Sequence, residues 1–416
     1  MKAALLIIGD EILNGTTLDT NSQYLARQLE GLNIKVVERN TISDKKEAII
    51  KGLDHCLANA DLVVTTGGLG PTKDDITKKT IAEYFGVELV MNHDVLAQVE
   101  SFFAKKNRPI LEVNRLQALV PENCMVLQNK MGTAPGMLIE HNGKILVSMP
   151  GVPHEMQYIT ENGLLPYLEI LNNGQEIIHH HLHTIGVGES RIAQQLEAIE
   201  DSMPAHIGLA YLPSPGMVKL RLTGVSEGEN NTKSQIAGLA NSIKQTLGTI
   251  VFGEGNTSIS QVIGEQLLKT GKTLSTAESC SSGYLAQLIT QTPGSSQYYE
   301  GSIVAYSYRL KKELLGVKHD TLTEHGAVSE ETIIEMVEGG RKKLGTDYAI
   351  ATSGIAGPGG GMPNKPVGTV WIAVASQNQT ITKKWQFGSD RARNTHLTAI
   401  MGLEMLRRLL LNLPQF

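Results

Sequence analysis

The chain opens with short apolar runs that alternate with longer amphipathic stretches. Up to about residue 170 the pattern predicts strand, helix, strand, helix and strand, in AALLIIG, TNSQYLARQLEGLN, KVVERN, KEAIIKGLDHCLANA and DLVVTTGG. Apolar strands separated by one-faced helices are typical of a parallel sheet covered on both sides. We therefore expect an α/β fold with a doubly wound sheet, whose ligand edge lies at the carboxyl ends of the strands.

Two further patterns follow. From about residue 177, IIHHHLHTIGV and MVKLRLTGV alternate, and each precedes an amphipathic helix, which predicts a small two-layer α+β module. After the polar joint GEGNTSIS the α/β alternation returns, with strands in KTLSTAES, GSIVAYS, DYAIATSG and GTVWIAVAS and a closing helix from about Thr395 to Leu411. The predicted domains are residues 1–170, 175–255 and 258–416.

Composition narrows the class of protein. The 416 residues carry a formal net charge of −5, and no local basic patch stands out, so no nucleic-acid partner is expected. Three cysteines far apart, Cys56, Cys124 and Cys280, argue against a disulfide framework and for a reducing compartment. The first apolar run meets Asp10 and Glu11 long before a membrane-spanning length. We expect a cytoplasmic protein without a membrane partner.

The third domain holds a candidate for covalent chemistry. In TAESCSSG a buried strand turns into a helix, and a serine there lies beside backbone N–H groups and the positive end of a helix dipole. Ser279 is the candidate nucleophile, although this serine cluster taken alone is more simply explained as a helix N-cap. GSIVAYSYRLKKELLGV adds Tyr306 at a strand end and Lys311 five residues later. A serine with a lysine or tyrosine base performs acyl transfer without histidine or metal.

Two neighbouring features leave alternatives open. Cys280 is the rival nucleophile, since a thiol at a helix N-terminus can be activated, but no histidine stands near it in a recognisable motif. We place it second, as a residue of the pocket wall. The loop from Ser353 to Gly361 lets backbone N–H groups approach a phosphate or a carboxamide, although a glycine loop is often only a turn.

Five motifs occur in order over about residues 258 to 416: TAESC, IVAYS with its downstream lysine and LLGV, HGAVSEET, SGIAGP and PVGTVW. They resemble the C-terminal domain of the CinA family, the nicotinamide-mononucleotide amidohydrolases. The resemblance implies conversion of nicotinamide mononucleotide to nicotinate mononucleotide and ammonia without a cofactor, with Ser279 as nucleophile and Tyr306 and Lys311 handling the proton. The substrate-binding residues that it implies are Glu278, Cys280, Ser281, Ser353, Gly354, Ala356, Gly357 and Arg391.

The chain departs from this family pattern at three places. Ser281 and Ser282 stand where a threonine and a glycine usually follow TAESC, and Tyr308 stands where an asparagine usually follows the IVAYS serine. In the usual DR-x-x-x-R stretch Arg391 is present, whereas the second arginine is not at the expected place and Arg393 is its candidate substitute. The departures touch the pocket wall and the phosphate contacts and leave the proposed nucleophile and base in place.

Glycine loops and carboxylates also follow strands of the first domain. IGDEILNG places Asp10 after the first strand, and TTGGLGPTKDDIT ends another strand with Gly67 and Gly68 before Asp74 and Asp75. Glycine N–H groups can reach a pyrophosphate, and carboxylates can hold the divalent cation that neutralises it. The alternative, a glycine turn before an aspartate-capped helix, is opposed by two further loops, GTAPG and PGVPHEM.

These segments, over about residues 1 to 170, resemble the molybdopterin-binding fold of molybdenum-cofactor biosynthesis proteins in the form that opens CinA proteins. That form implies ADP-ribose pyrophosphatase activity with a divalent cation and K⁺, and makes Asp10, Asp74 and Asp75 the expected metal or water-positioning residues. Leu116 replaces the lysine of the usual NxKQA. The implied site residues are Asp10, Gly67, Gly68, Asp74, Asp75, Asn114, Gly132, Thr133 and Glu155.

The middle module raises a metal hypothesis and an RNA hypothesis. His179, His181 and His183 would share one face of a strand, but a solvent-facing strand gives the same spacing, and zinc sites usually recruit a ligand from a second element. We expect no metal there. IGVGESRIAQQL and YLPSPGMVKLRL resemble the KH-like module of CinA proteins, which implies pairing into a homodimer, and the GXXG clamp of RNA-binding KH domains is absent.

Together these patterns predict an enzyme of small-molecule nucleotides, with nicotinamide mononucleotide and ADP-ribose bound at two separate sites. The competing hypothesis is a competence or DNA-damage interaction protein with vestigial pockets. A molybdopterin-binding biosynthetic protein would explain only the first domain. The intact Ser279, Tyr306 and Lys311 favour the enzyme, because a scaffold does not need them.

Overall fold

A computed structural model describes residues 1–72, 75–171, 176–226 and 231–415. The chain divides into two compact units, one formed mainly by Met1–Ile177 and the other mainly by the residues from Ile178 onward. None of the helices in the described ranges is long and apolar enough to cross a membrane.

In the described part of the first unit, six strands form one sheet in the order β2-β1-β3-β8-β7-β6. Strands β2, β1, β3 and β8 run parallel, and β7 and β6 extend the sheet antiparallel. Two short strands, β4 and β5, pair separately. The strand bounds are β1 (Lys2–Ile8), β2 (Lys35–Ile42), β3 (Leu62–Thr66), β4 (Leu89–Met91), β5 (Leu119–Pro121), β6 (Met125–Leu127), β7 (Gly136–His141) and β8 (Lys144–Met149).

Helices cover both faces of this sheet. Leu5 and Val64 pack on one face against Leu29, whereas Leu6 on the other face packs against Leu53. The predicted doubly wound α/β architecture is therefore confirmed. The helix bounds are α1 (Asp10–Leu13), α2 (Asn21–Gly31), α3 (Lys46–Asn59), α4 (Thr77–Phe85), α5 (His93–Lys105), α6 (Glu112–Arg115), α7 (Pro153–Ile159) and α8 (Leu165–Leu171), with one π-helical turn between α7 and α8.

The second unit begins with the small α+β module. Its described strands form a sheet in the order β10-β11-β9-β12, and two helices bury Leu196 and Ile236 against Leu220 on one face of that sheet. This is the predicted two-layer module. Its elements are β9 (Glu176–Ile185), α9 (Glu189–Asp201), β10 (Ile207–Ser214), β11 (Met217–Ser226), α10 (Thr232–Leu247) and β12 (Val251–Glu254).

The rest of the second unit is a sheet in the order β14-β13-β15-β16-β17, flanked by helices. Strands β14, β13 and β15 are parallel, and β16 and β17 are antiparallel. The strands are β13 (Leu274–Glu278), β14 (Tyr299–Val304), β15 (Tyr348–Gly354), β16 (Thr369–Ala375) and β17 (Thr380–Gln386). The helices are α11 (Ile259–Thr270), α12 (Tyr284–Thr290), α13 (Tyr308–Leu315), α14 (His319–Glu324), α15 (Glu330–Leu344) and α16 (Arg391–Leu410).

Two of these elements differ from the sequence pattern. Strand β17 was not predicted, because its half-exposed segment TITKKWQ at the sheet edge shows no clean apolar alternation. Helix α16 begins at Arg391, four residues before the predicted start, because the side chain of Asp390 accepts a hydrogen bond from the Arg393 backbone N–H at 2.6 Å and caps the helix.

Helices α13 and α15 approach each other very closely. A Cβ atom placed on Gly339 of α15 would lie 1.7 Å from the carbonyl oxygen of Leu315, the last residue of α13. Only a residue without a side chain fits there. Gly339 therefore permits the close packing of α15 against α13, the helix that carries Lys311.

Candidate functional site

Ser279 stands at the carboxyl end of β13, a central strand of the C-terminal sheet. Its backbone N–H donates to the Thr352 carbonyl oxygen of β15 at 3.0 Å, which extends the ladder by one residue. The chain then turns through residues 279–283, with Ser282 in the left-handed region (φ 55°), and enters α12. Ser279 is buried, with 8% of its surface exposed.

A buried carboxylate holds this turn in place. Glu278 is fully buried, and its two oxygens accept six hydrogen bonds from both ends of the turn and from β14. The donors are the N–H groups of Gly283 (2.9 Å), Leu285 (3.1 Å) and Ala286 (2.9 Å) and the hydroxyls of Ser281 (2.7 Å), Ser302 (3.1 Å) and Thr276 (3.4 Å). Glu278 therefore positions the turn, because these donors occupy both of its oxygens, and its expected contact with substrate stays a prediction.

Lys311 brings an amine to the serine. Its Nζ lies 2.9 Å from Ser279 Oγ, 2.7 Å from the carbonyl oxygen of Ala305 and 3.3 Å from that of Tyr306. The side chain is 1% exposed. Burial lowers the pKa of Lys311 to about 8, because the charged form loses its hydration. A lysine whose pKa lies near neutrality, in contact with a serine hydroxyl, can act as the base for that serine as nucleophile.

Tyr306 faces away from this pair. Its side chain is 62% exposed, and its hydroxyl accepts a hydrogen bond from Arg391 Nη2 at 3.3 Å. Arg391 Nη1 donates to the Gly357 carbonyl oxygen at 2.8 Å. Arg391 and Tyr306, which are both exposed, thus meet beside the buried Gly357, and the guanidinium joins the first turn of α16 to the loop after β15. It is the Tyr306 backbone that contacts Lys311.

The other expected substrate-binding residues are mostly buried in the framework. Ser281 and Ser353 are at most 1% exposed; Ser281 Oγ pairs with Thr352 Oγ1 at 2.7 Å, and Ser353 Oγ donates to the Ala327 carbonyl oxygen at 2.6 Å. Burial raises the pKa of the Cys280 thiol to about 12, the opposite of an activated thiolate. Gly354 and Ala356 lie on the path of the loop to Gly357, where the Ala356 carbonyl oxygen accepts from Asn394.

The first unit has a cavity of about 460 Å³ at the carboxyl ends of β1, β3 and β8. Gly67, Gly68, Thr133, Asp75 and Glu155 line it, as the sequence predicted for a site. A Cβ on Gly67 would lie 2.0 Å from the Ile8 carbonyl oxygen. The glycine therefore lets the chain after β3 pack directly against the end of β1, and both segments line the cavity.

Other expected residues of this site lie elsewhere. Asp10 is exposed on α1, and the cavity lining includes its neighbour Glu11 instead. Asn114 Oδ1 accepts from the Leu111 backbone N–H at 3.2 Å, outside the lining. Gly132 lies against the Glu155 carboxylate, since a Cβ there would lie 2.0 Å from Glu155 Oε2. Asp74 falls outside the described residues.

The lining also includes Glu11, which follows Asp10, Gln117, which follows Leu116 in NRLQA, and Asp44, which the sequence did not single out. Gln117 is 3% exposed and its Oε1 has no hydrogen-bond partner among the described residues, which leaves it as an acceptor for a group in the cavity. Lys78 Nζ donates to the Gln117 carbonyl oxygen at 3.1 Å and holds this turn. Gln117 and Asn114 both belong to NRLQA, so the motif indicated a segment that supplies one lining side chain, that of Gln117.

The histidines of the middle module bind protein groups. His179 Nδ1 pairs with Thr223 Oγ1 at 2.9 Å, and His183 Nε2 with the Gly255 carbonyl oxygen at 2.9 Å. Burial lowers the pKa of His181 to about 4, helped by the nearby charge of Lys219. Among the residues that the structure describes, no three His, Cys, Asp or Glu side chains come close enough to hold a metal ion.

Three family models match the chain in succession: "Probable molybdopterin binding domain" over residues 4–170, "Damage-inducible protein CinA KH domain" over 179–253 and "CinA C-terminal domain" over 256–410. The crystal structure of the competence/damage inducible protein CihA from Agrobacterium tumefaciens is 36% identical, with a match that covers 36% of this chain and 93% of that chain at a TM-score of 0.36.

Relatives match over the full length. A CinA-like protein of Cytophaga hutchinsonii is 43% identical over 406 residues, which cover 98% of this chain and 97% of the relative. A putative competence-damage inducible protein of Halothermothrix orenii is 40% identical over 411 residues, which cover 99% of each chain. The chain therefore belongs to the CinA family.

Proposed function

We propose that the C-terminal domain hydrolyses the carboxamide of nicotinamide mononucleotide, releasing ammonia and nicotinate mononucleotide. The observation that carries the proposal is the 2.9 Å contact between Lys311 Nζ and Ser279 Oγ inside the protein. The match to the CinA C-terminal domain supports an amidohydrolase-type enzyme. The choice of nicotinamide mononucleotide as substrate comes from the family resemblance of the motifs from TAESC to PVGTVW.

The surroundings of Lys311 suit a base. Nζ has three neighbours, of which two are carbonyl oxygens that can only accept hydrogen bonds. A neutral amine donates its two N–H groups to Ala305 and Tyr306 and turns its lone pair to the Ser279 hydroxyl. The carbonyls thus orient the amine, and burial keeps its pKa near neutrality.

The reaction proceeds by acyl transfer. Ser279 Oγ attacks the carboxamide carbon while its proton passes to Lys311 Nζ. Collapse of the tetrahedral intermediate breaks the C–N bond, and Lys311 returns the proton to the nitrogen, which leaves as ammonia. Water then attacks the ester carbon and gives its proton to Lys311. The bond between the acyl carbon and Ser279 Oγ breaks, Lys311 returns that proton to Ser279 Oγ, and the acid product leaves and ionises to the carboxylate.

The developing oxyanion needs donors near the turn. Because Glu278 already accepts from the N–H groups at the start of α12, that helix end is not available to the intermediate. The Ser281 backbone N–H has no acceptor among the described residues, and we assign it to the oxyanion. Arg391 is placed to bind the phosphate of the nucleotide, since its exposed guanidinium stands over the loop at Gly357.

The names of some relatives favour a role in competence or DNA damage, and an interaction protein with vestigial sites would fit them. A vestigial site has no need of a buried amine. Keeping Lys311 at 1% exposure costs stability, because the charged form loses its hydration, and a catalytic role gives a reason to retain the residue there. The enzyme is therefore the better account of this domain.

Replacing the nucleophile should abolish the reaction. We expect Ser279→Ala to reduce ammonia release from nicotinamide mononucleotide by at least 10³-fold, because the hydroxyl forms the covalent bond. The comparison variant is Cys280→Ala, which removes the rival nucleophile and, if the serine forms the covalent bond, should keep far more activity than Ser279→Ala. Thermal unfolding of both variants checks the fold. Activity that survives in Ser279→Ala and vanishes in Cys280→Ala would identify the thiol as nucleophile.

The pH profile should report Lys311. The neutral amine is the active form, so kcat/KM should rise about tenfold per pH unit below the pKa of about 8 and level off above it. Lys311→Arg keeps a cation that does not lose its proton and should be inactive from pH 6 to 10. Circular dichroism at each pH controls for unfolding. A flat wild-type profile between pH 6.5 and 9 would contradict a lysine base.

We propose a second activity, metal-dependent ADP-ribose pyrophosphatase, for the first unit. Its cavity combines a glycine loop with four carboxylates, those of Glu11, Asp44, Asp75 and Glu155. Magnesium-like ions are held by one or two carboxylates together with substrate phosphates, so this donor set fits a cation that arrives with a pyrophosphate. Such a cation neutralises the pyrophosphate. The match to the molybdopterin binding domain supports a nucleotide-type ligand at this edge.

The two activities should separate in one preparation. Asp75→Asn removes a cavity charge while its side-chain oxygen can still accept from Thr72, which now donates from N–H at 3.0 Å and from Oγ1 at 2.5 Å. We expect at least 100-fold slower cleavage of ADP-ribose and unchanged ammonia release. Asp94→Asn, outside the cavity on α5, is the matched control. EDTA should reproduce the effect of Asp75→Asn. Loss of both activities would assign Asp75 to folding.

A further inference from the structure

The second unit contains a cavity of about 470 Å³ that is separate from the serine site. Strands of the middle module form one wall through His183, Met217 and Phe252. Helices α11, α12 and α16 form the others. Arg407 of α16 donates to the Thr249 carbonyl oxygen at 2.7 Å, which ties the two sides of the cavity together.

The cavity carries no formal charge. Among the described residues, no Asp, Glu, Lys or Arg side chain lines it. His396 Nδ1 pairs with the Tyr284 hydroxyl at 3.0 Å, and burial lowers the pKa of this histidine, against a smaller opposing effect of the Pro215 carbonyl. The ring is therefore neutral at neutral pH. The cavity of the first unit, by contrast, has four carboxylates.

The helix end in this cavity is partly occupied by protein acceptors. Helix α11 starts there, and the Ser258 and Gln261 side chains satisfy each other's backbone N–H groups, at 3.2 Å and 2.7 Å. Such a capping box removes two of the N–H donors that would otherwise bind a phosphate. An anionic ligand would also lose its hydration without gaining a cation from the described lining residues.

The remaining lining fits a ring with polar substituents. The rings of His183 and Phe252 lie 5.6 Å apart and form an aromatic wall. Asn256, Gln291 and Thr292 supply amide and hydroxyl groups. The volume lies within the roughly 300–1,000 Å³ range of small-molecule sites, which combine apolar walls with a few polar groups.

We propose that this cavity is a binding site for an uncharged nucleoside. The aromatic wall stacks on the base, the amides and hydroxyls bind the base edge and the ribose, and the absence of cations excludes the phosphorylated forms. Binding at this cavity is independent of the two proposed hydrolytic activities.

An occupant would contact both helices that frame the serine site. Leu288 of α12 lines the cavity, and the start of α12 is held by Glu278 beside Ser279. Helix α16 lines it with His396, and the same helix begins with Arg391. A bound nucleoside would thus contact α12 and α16, which support the turn at Ser279, without contacting the turn itself.

The test is isothermal titration of the full chain with adenosine, guanosine, cytidine and uridine and with their 5′-monophosphates. We expect at least one nucleoside to bind at least tenfold more tightly than its monophosphate. Leu288→Trp fills the cavity and should weaken that binding at least tenfold. Leu268→Trp, on the exposed side of α11 and outside the lining, is the matched control and should bind like the wild type.

A second blocking variant guards against a folding defect. Gln291→Trp places the ring at an exposed position of the rim and should weaken binding as Leu288→Trp does. Thermal unfolding reports the fold of each variant. The proposal is overturned if no nucleoside binds, if a monophosphate binds as tightly as its nucleoside, or if nucleoside binding is unchanged in a folded Gln291→Trp protein.

Discussion

The C-terminal site depends on one buried carboxylate. Glu278 draws together the end of β13, the start of α12 and Ser302 of β14 through six hydrogen bonds, so the turn that carries Ser279 has little freedom. A buried carboxylate that loses one of its donors costs about 1–3 kcal/mol or more, which makes the full set of contacts self-reinforcing. The serine is thereby presented at a fixed position, as an attacking hydroxyl requires.

The second constraint is the burial of Lys311. The same parallel pairing of β13 and β14 that brings Ser302 to Glu278 places the Ala305 N–H on the Glu278 carbonyl oxygen at 2.9 Å. The Ala305 and Tyr306 carbonyls then face the amine from α13, which packs closely against α15 at Gly339. Nucleophile and base therefore come from different elements of a rigid framework, and neither needs a loop to close.

Sequence patterns predicted the strands and the serine and lysine of this site, because a buried strand followed by small residues and a capped helix has a clear signature. They did not predict the direction of Tyr306, which depends on Arg391, 85 residues away. The positioning role of Glu278 could have been predicted from the sequence, because a carboxylate in an apolar strand must be satisfied by hydrogen-bond donors. In the first unit the strand periodicity ends at Gly9, so the choice between Asp10 and Glu11 as the lining residue could not be read from the pattern.

The central claim is that Ser279 forms a covalent bond to the substrate acyl group, and trapping that ester tests it most directly. The protein is mixed with nicotinamide mononucleotide, quenched in acid within milliseconds and digested for peptide mass spectrometry. The account predicts an adduct equal to the substrate minus ammonia on the peptide that contains Ser279, with fragment ions that place it on the serine oxygen. An adduct on Cys280, or turnover with no adduct under conditions that produce a burst of ammonia, would contradict it.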